Sequence, residues 1–229
     1  MNLKAVLFDM DGVLFDSMPN HAIAWRKAMT LHGIEMTREE AYATEGQRGV
    51  DTIRQMMKER LGKELSLEQA QKIYNEKTQF FHELPEAPVM PGIKKLMEKI
   101  HQSGINIGVV TGSGQLPLIN RLLKEFGRYL DREHIVTAYN VAKGKPAPDP
   151  YLKGLEMMGD LKANEAVVVE NAPLGVQAGV AAGIYTICVN TGHLPTEVFV
   201  EKGANIIFNS MVALSENWES DFFLTPSLD

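Results

Sequence analysis

The sequence predicts an α/β fold in which a doubly wound parallel sheet, a Rossmann-like core, carries an inserted all-helical cap domain. Three observations favour this class: short runs rich in valine and isoleucine, helical spacing of apolar residues between the later runs, and one long stretch without a strand-like run. The chain has 229 residues, of which 45% are hydrophobic and 23% are charged. This is the mix of an ordinary globular protein, so we expect a well-packed core.

Five apolar runs are predicted to form strands. Most are about 4–6 residues long, which is typical of strands buried on both faces of a parallel sheet. They cover residues 5–8, 105–110, 166–169, 184–189 and, more weakly, 206–208. Helical spacing follows between the later runs, at Ile93, Leu96, Met97 and Ile100, at Leu118, Leu122, Leu123 and Phe126, and at Val176 and Val180. This alternation of strands and helices indicates a doubly wound sheet.

The stretch from about Pro19 to Leu84 interrupts the alternation. It contains no strand-like run and shows several helical patterns instead. Prolines lie at both of its ends, where they block the continuation of a helix. We therefore predict a helical cap domain at residues 18–85 and a catalytic core formed by residues 1–17 and 86–229. At the end of the chain, residues 221–229 show no clear period, and we expect a loosely ordered tail or a small docking segment.

Composition excludes several classes of partner. The 23 basic and 29 acidic residues give a net charge of −6, which opposes the phosphate contacts of nucleic-acid-binding proteins and binding to anionic membranes. No segment approaches the minimum of about 18 apolar residues that span a bilayer, and Asp9 and Asp11 interrupt the first apolar run before a signal-peptide core could form. Cys188, the single cysteine, cannot form an internal disulfide. These features predict a soluble, monomeric protein of the reducing cytoplasm.

The first predicted strand ends in two acids. In an open α/β sheet, ligands bind outside the carboxyl ends of the strands. Asp9 and Asp11 follow the first run and point to the same side in extended geometry. Two neighbouring carboxylates are costly to bury unless they share a cation or a proton. Taken alone, the pair also fits a solvated turn.

Later segments deliver further polar groups to the same edge. The turn of Thr111, Gly112 and Ser113 offers a hydroxyl and backbone N–H groups for an anion. Lys145 stands before Pro146, and the run at 166–169 ends in Glu170 and Asn171. Each group alone fits a common turn, a solvated lysine or a helix cap. Together they supply hard oxygens for Mg²⁺ and positive charge and donors for a phosphoryl group.

These motifs resemble those of the haloacid dehalogenase superfamily. The resemblance rests on four motifs. The first is the run from Asp9 to Ser17, and the second is Thr111. The third is Lys145 in a Gly-Lys-Pro-x-Pro-Asp setting, and the fourth is Glu170 before a helix rich in glycine and alanine. The motifs occur in the family's order, and the similarity covers nearly the whole chain. The helical insertion is similar to the cap of the β-phosphoglucomutase-like phosphatase branch.

The resemblance implies a role for each matching residue. Asp9 matches the nucleophile that attacks phosphorus to give an aspartyl-phosphate, and Asp11 matches the general acid and base. Lys145 would neutralise charge between the phosphoryl group and Asp9. The phosphoryl oxygens would be bound by Thr111, Gly112 and Ser113. The ligands of Mg²⁺ would be Asp9, the main-chain carbonyl of Asp11, Glu170 and Asn171.

Two positions depart from the family pattern. Asn171 stands where the family usually has an aspartate. Without that aspartate, the three negative charges of Asp9, Asp11 and Glu170 equal the three positive charges of Mg²⁺ and Lys145. A fourth carboxylate is therefore electrostatically admissible. Glu45 occupies the position of a lysine in the segment that resembles the mutase specificity loop. We expect Glu45 to reach the metal ion or its water and to favour small, charge-dense substrates, whereas the alternative is a surface loop.

Two further cap residues are candidates for substrate binding. Arg48 resembles the arginine of the specificity loop, but it follows Gly46 by two residues rather than three. His21 matches a mutase position that couples cap closure to Asp11, and a buried, hydrogen-bonded histidine is its alternative. Both are expected near the substrate.

The sequence thus favours a Mg²⁺-dependent phosphohydrolase that acts on a small phosphorylated substrate through an aspartyl-phosphate. Inorganic pyrophosphate and a sugar phosphate are the candidate substrates. The alternative is β-phosphoglucomutase, which transfers a phosphoryl group between C1 and C6 of glucose phosphate, because the cap, Asp11 and His21 resemble that enzyme. A non-catalytic phosphate-binding module is a third interpretation, and the joint presence of Asp9, Asp11 and Lys145 weighs against it.

Overall fold

The structure, a computed structural model, describes residues 2–114 and 116–218. Its strands are β1 (Ala5–Phe8), β2 (Asn106–Val110), β3 (Ile135–Val136), β4 (Ala166–Glu170), β5 (Tyr185–Val189) and β6 (Ile206–Phe208). They form one six-stranded sheet in the order β3-β2-β1-β4-β5-β6. All neighbouring strands pair in parallel. The predicted fold class is confirmed.

One strand, β3, is missing from the predicted set. It is 2 residues long and pairs with the end of β2, where Val109 faces Ile135. A run this short has no period of its own, and its position depends on the pairing with β2. Strands β2 and β5 also begin one residue later than predicted.

The inserted segment forms four helices. These are α1 (Met18–Leu31), α2 (Arg38–Ala43), α3 (Gly49–Leu61) and α4 (Leu67–His82). Residues 18–85, all of which the structure describes, contain no strand of the sheet. The helices share an apolar cluster that includes Met18, Trp25, Met29, Ile53, Met57 and Ile73. This confirms an all-helical cap, while its exact boundaries stay a prediction.

Helices cover both faces of the sheet. They are α5 (Ile93–Gln102), α6 (Leu116–Phe126), α7 (Asp149–Met157), α8 (Pro173–Ala181), α9 (Thr196–Glu201) and α10 (Met211–Glu216). Along β1, Val6 and Phe8 join an apolar cluster with residues of α5, α6 and α10. Ala5 and Leu7 join a second cluster with residues of α7 and α8. Alternate side chains of one strand thus contact helices on opposite faces, as a doubly wound sheet requires.

Two segments connect the cap to the core side by side. The N–H of Asp16 donates to the carbonyl of Pro88 at 2.9 Å, and the N–H of Met90 donates to the carbonyl of Leu14 at 2.9 Å. Phe15 also forms bridges to Asp11 and to Val89. The cap is therefore tied to the core within a few residues of the first acidic motif.

Three other expectations can be compared with the structure. Cys188 is fully buried in β5. Within the two described ranges, no helix is long and apolar enough to cross a bilayer. The tail expected at residues 221–229 lies outside the described residues.

Truncation of Ile53 tests the contribution of the cap cluster to stability. Ile53 is 0% exposed, whereas Leu61 on the same helix is 38% exposed. Ile53→Ala should lower the free energy of unfolding by about 2–5 kcal/mol, because it removes buried methyl groups and leaves a cavity. The control Leu61→Ala should cost less than about 1 kcal/mol. Denaturant unfolding followed by circular dichroism measures both, and equal losses would contradict a packed cap core.

Candidate active site

A buried lysine joins three strand ends at the carboxyl edge of the sheet. Asp9 directly follows β1, and its N–H donates to the carbonyl of Val169 at 3.0 Å. Lys145 Nζ lies 2.5 Å from Asp9 Oδ1 and 2.6 Å from Glu170 Oε1. The same ammonium donates to the carbonyl of Val110 at 3.1 Å. The ends of β1, β2 and β4 therefore meet at one charged group.

Burial and charge oppose each other in this cluster. Burial raises the pKa of Asp9 well above its usual range, although the Lys145 ammonium acts in the other direction. Burial alone would lower the pKa of Lys145, but Asp9 and Glu170 outweigh this effect and raise it. Lys145 therefore stays protonated and is shared by two carboxyl groups. When both are ionised, the cluster has an excess negative charge that a cation could neutralise.

Glu170 is held by four donors. Its Oε1 accepts from Lys145 Nζ and, at 2.7 Å, from the Tyr151 hydroxyl. Its Oε2 accepts from the N–H groups of Asn171 at 3.0 Å and Ala172 at 3.3 Å. An ionised carboxylate has about four acceptor positions, so these contacts use the full set. Tyr151, buried in α7, was absent from the predicted site, because a tyrosine at helical spacing is typical of core packing.

Asn171, in contrast, has an unused acceptor. Its Oδ1 is buried and has no hydrogen-bond partner. Buried polar atoms are normally paired, so a bare amide oxygen at this edge fits a hard cation such as Mg²⁺. The amide nitrogen packs on Gly12, where a Cβ would lie 2.1 Å from Nδ2. Gly12 has a φ of +83°, so both this contact and the backbone turn require glycine.

Asp11 lies between the core and the cap. Ser17 Oγ donates to Asp11 Oδ1 at 2.6 Å, and His21 Nε2 lies 3.2 Å from the same oxygen. His21 Nδ1 is 2.7 Å from Lys77 Nζ. Burial alone would raise the pKa of Asp11, but His21, Ser17 and Lys77 outweigh it and lower that pKa to about 2. In this arrangement Asp11 is ionised.

Lys77 is a site residue that the sequence analysis missed. It is buried in α4, and its ammonium lies 5.1–5.9 Å from the centroids of three aromatic rings, those of Trp25, Tyr74 and Phe81. Burial lowers its pKa to about 8, while the carboxylates of Glu45 and Asp11 limit the decrease. A helical lysine is usually solvated, and only its distance to His21, 56 residues away, places it in the site.

A small cavity lies between the cap and the strand ends. Its volume is about 30 Å³, which is room for one or two water-sized groups. Its lining includes the predicted site residues Asp9, Asp11, His21, Glu45, Thr111, Gly112 and Ser113. Asp11, His21 and Glu45 each offer one ligand atom, and these atoms all lie within 4.8 Å of one another. Glu45 therefore belongs to a cluster that could hold a metal ion.

Two glycines allow the loop between α2 and α3, residues 44–48, to approach the core closely; we call it the cap loop. A Cβ at Gly112 would lie 3.2 Å from the carbonyl oxygen of Gly46, and a Cβ at Gly46 would lie 3.2 Å from Lys145 Cδ. Gly46 also has a φ of +87°. The cap loop therefore rests directly on the turn that follows β2 and on the catalytic-lysine candidate. This contact holds Glu45 at the cavity.

Arg48 lies outside the cavity lining, although it was expected to bind substrate. Its Nε donates to Asp51 Oδ2 at 2.7 Å, and its Nη1 donates to the carbonyl of Ala142 at 3.0 Å. The structure thus brings the other predicted site residues together at one edge of the sheet. The Arg48 side chain instead contacts a neighbouring core loop.

The fold, the cap and the strand-end cluster define a class of phosphoryl-transfer enzyme. A family model described as haloacid dehalogenase-like hydrolase matches residues 3–183. The chain belongs to this family. It is an enzyme of the phosphatase or phosphotransferase type.

The similar proteins include both phosphatases and phosphoglucomutases. Hexitol phosphatase A of Escherichia coli is 35% identical over 83% of this chain and 84% of its own length. Beta-phosphoglucomutase of Bacillus subtilis is 26% identical over 95% of this chain and 96% of its own length. A solved structure from Bacteroides vulgatus, provisionally assigned as a beta-phosphoglucomutase, is 49% identical with a TM-score of 0.92 and covers 98% of this chain and 91% of that chain. The relatives therefore leave hydrolase and mutase as the two alternatives.

Lys77 should make stability depend on pH. Its pKa of about 8 lies below the ordinary value of 10.5, so the unfolded chain binds more protons between these values and stability rises with pH there. Below pH 8 the full penalty of burying the ammonium is present. Lys77→Met should therefore be more stable than the parent at pH 7, by up to about 3 kcal/mol. The difference should shrink as the pH approaches 10.5.

Denaturant unfolding in EDTA at several pH values measures this difference. Lys72→Met is the matched control, because Lys72 lies on the same helix with its side chain 71% exposed. A difference between Lys77→Met and the parent that does not change with pH would refute the assignment of the penalty to a buried ammonium.

Proposed function

We propose that this chain is a Mg²⁺-dependent phosphohydrolase that acts through an aspartyl-phosphate at Asp9, with inorganic pyrophosphate as the leading candidate substrate. The observation that carries the proposal is the small cavity beneath the cap, of about 30 Å³, which has the carboxylates of Asp9, Asp11 and Glu45 in its wall. Pockets for drug-sized ligands measure about 300–1,000 Å³. A small, charge-dense group therefore suits the space beside these carboxylates better than a sugar ring.

The residues at the strand ends fit a magnesium ion. Asp9, the main-chain carbonyl of Asp11 and Asn171 Oδ1 would hold it, since all are oxygen donors and the Asn171 oxygen has no other partner. Glu170 would support the site through its neighbours or a water, because its acceptor positions are already used. Glu45 would add a carboxylate from the cap. When bound, the ion supplies positive charge to the phosphoryl oxygens.

In the first half of the reaction, the Asp9 carboxylate attacks phosphorus. The bond between phosphorus and the leaving oxygen breaks, and Asp11 donates a proton to that oxygen. The Thr111 hydroxyl and the N–H of Gly112 would hold the phosphoryl oxygens, whereas the N–H of Ser113 donates to Thr111 Oγ1 at 3.0 Å. Asp11 must be protonated for this step, and the arrival of a phosphate anion raises its pKa, since neighbouring like charges disfavour the ionised form.

In the second half, water attacks the phosphorus of the aspartyl-phosphate. Asp11 accepts the water proton, and the bond from phosphorus to the Asp9 oxygen breaks. Phosphate leaves, the Asp9 carboxylate is restored, and Asp11 is again protonated. Between the two halves, His21 and Lys77 stabilise the ionised form of Asp11, which their contacts favour.

Beta-phosphoglucomutase activity is the second candidate. The similarity to the Bacillus subtilis mutase extends over 95% of this chain, and the 49% identity to the Bacteroides vulgatus structure also favours it. The relative named hexitol phosphatase A raises a third substrate class, the polyol phosphates. The Glu45 carboxylate weighs against a sugar phosphate that carries a second phosphate at its far end, because it would repel that anion, whereas both phosphates of pyrophosphate can bind one Mg²⁺ ion.

Replacement of the nucleophile tests the covalent mechanism. Asp9→Asn should abolish phosphate release, because an amide is a very poor nucleophile toward phosphorus and the side chains are nearly isosteric. Asp16→Asn is the control, since Asp16 is an exposed acid close by in the chain that is absent from the cavity lining. Steady-state phosphate release with Mg²⁺ measures both variants. Activity of Asp9→Asn within about tenfold of the parent would exclude an aspartyl-phosphate at this position.

Replacement of Glu45 tests the substrate assignment. Glu45→Gln should raise the Mg²⁺ concentration required for half-maximal activity and slow pyrophosphate hydrolysis by at least about tenfold, or ~1.4 kcal/mol. Glu39→Gln, in the exposed part of α2, should behave as the parent. The panel should include pyrophosphate, a hexitol phosphate, and β-glucose 1-phosphate primed with a glucose bisphosphate. Unchanged Mg²⁺ dependence, together with preferred turnover of the primed glucose phosphate, would favour the mutase.

A further inference from the structure

The Arg48 side chain connects the cap to the core loop that carries Lys145. Arg48 immediately precedes α3, and Asp51 on the first turn of that helix holds its Nε at 2.7 Å. Its Nη1 reaches the carbonyl of Ala142 at 3.0 Å, 94 residues away in the chain. The cap itself thus orients the guanidinium, which then contacts the core through a backbone carbonyl.

The aliphatic part of Arg48 packs on the same loop. A Cβ at Gly144 would lie 2.7 Å from Arg48 Cγ, so this approach needs glycine. The next residue is Lys145, whose side chain contacts Gly46 of the cap loop. Arg48 and Gly46 therefore contact the loop at residues 142–145 from two adjacent points, and Lys145 lies between the cap and Asp9.

We propose that Arg48 is a positioning residue that latches the closed cap onto the Lys145 loop. Arg48 does not line the cavity that contains Asp9 and Asp11; it lines a neighbouring cavity of about 250 Å³. Its guanidinium is bonded to Asp51 and to the carbonyl of Ala142, which favours a role through the loop. The Arg48–Asp51 pair is partly exposed, and such pairs add little to overall stability. The bond to Ala142, however, joins cap to core in this closed arrangement, so its loss should shift the balance between closed and open caps.

The chain provides a matched control on the same helix. Arg54 Nε donates to the carbonyl of Leu65 at 3.0 Å, which is also an arginine bonded to a backbone carbonyl, but both partners lie within the cap. Arg48→Ala and Arg54→Ala each remove one such bond. Only the first removes a bond between cap and core.

Distances between spin labels measure cap closure directly. Labels on cysteines introduced at Glu59 in the cap and Glu133 in the core report the interdomain distance, since both positions are exposed and Cys188 is fully buried. Arg48→Ala should lower the ratio of the short-distance to the long-distance population by roughly two- to tenfold, the effect of losing one hydrogen bond. Arg54→Ala should leave the ratio unchanged. Equal distributions in the two variants would overturn the latch.

A kinetic measurement adds a second readout. Unlike the distance measurement, it rests on the proposed function, because it requires phosphoryl transfer. kcat/KM for phosphate release from pyrophosphate should fall by the same factor in Arg48→Ala, with no change in Arg54→Ala and equal melting temperatures. A lower kcat/KM with an unchanged distance distribution would place Arg48 in the substrate site and overturn the latch. Because the label distances need no turnover, a parent without activity would refute the proposed function and leave the latch to be decided by the distances.

Discussion

The ion pair of Lys145 with Asp9 and Glu170 is the interaction on which the rest of the site depends. It joins the ends of three strands through one ammonium, at distances of 2.5 and 2.6 Å to the two carboxylates. Removal of one partner from a buried pair costs about 3–5 kcal/mol, because the other charge is left uncompensated. The position of Asp9 therefore depends on a loop that lies 136 residues away in the chain. Tyr151 and two backbone amides fix Glu170, which in turn fixes the ammonium.

The same lysine connects the core site to the cap. Its methylene groups contact Gly46, and the residue before it packs against Arg48. The core part of the site is therefore shaped by cap closure as well as by the sheet. Glycines at positions 46, 112 and 144 lie where the two parts approach closely, because a Cβ at any of them would come within 2.7–3.2 Å of the facing segment. Small residues at this contact let the cap lie close to the strand ends, where the cavity measures about 30 Å³.

Much of the fold and of the site is predictable from the sequence, because parallel strands place their carboxyl ends at one edge. Asp9, Thr111 and Glu170 each follow an apolar run that forms a strand. Strand β3 was missed because two residues carry no period, and its pairing with β2 determines its position. Lys77 and Tyr151 were missed for a different reason. Each occurs in a helix where its residue type is common, and only tertiary contacts with His21 and Glu170 distinguish them.

The two departures from the family pattern have a common electrostatic explanation. Asn171 in place of an aspartate removes a negative charge from the core, and Glu45 in place of a lysine adds one on the cap. With Asp9, Asp11, Glu170 and Glu45 ionised, the closed site carries four negative charges against the two of Lys145 and Lys77. The excess equals the charge of one magnesium ion. Glu45 and Lys77 are both carried by the cap, so the core alone, with three carboxylates against Lys145, has the same excess. Cap closure therefore brings a carboxylate oxygen close to Asp11 without changing the net charge that the ion must balance.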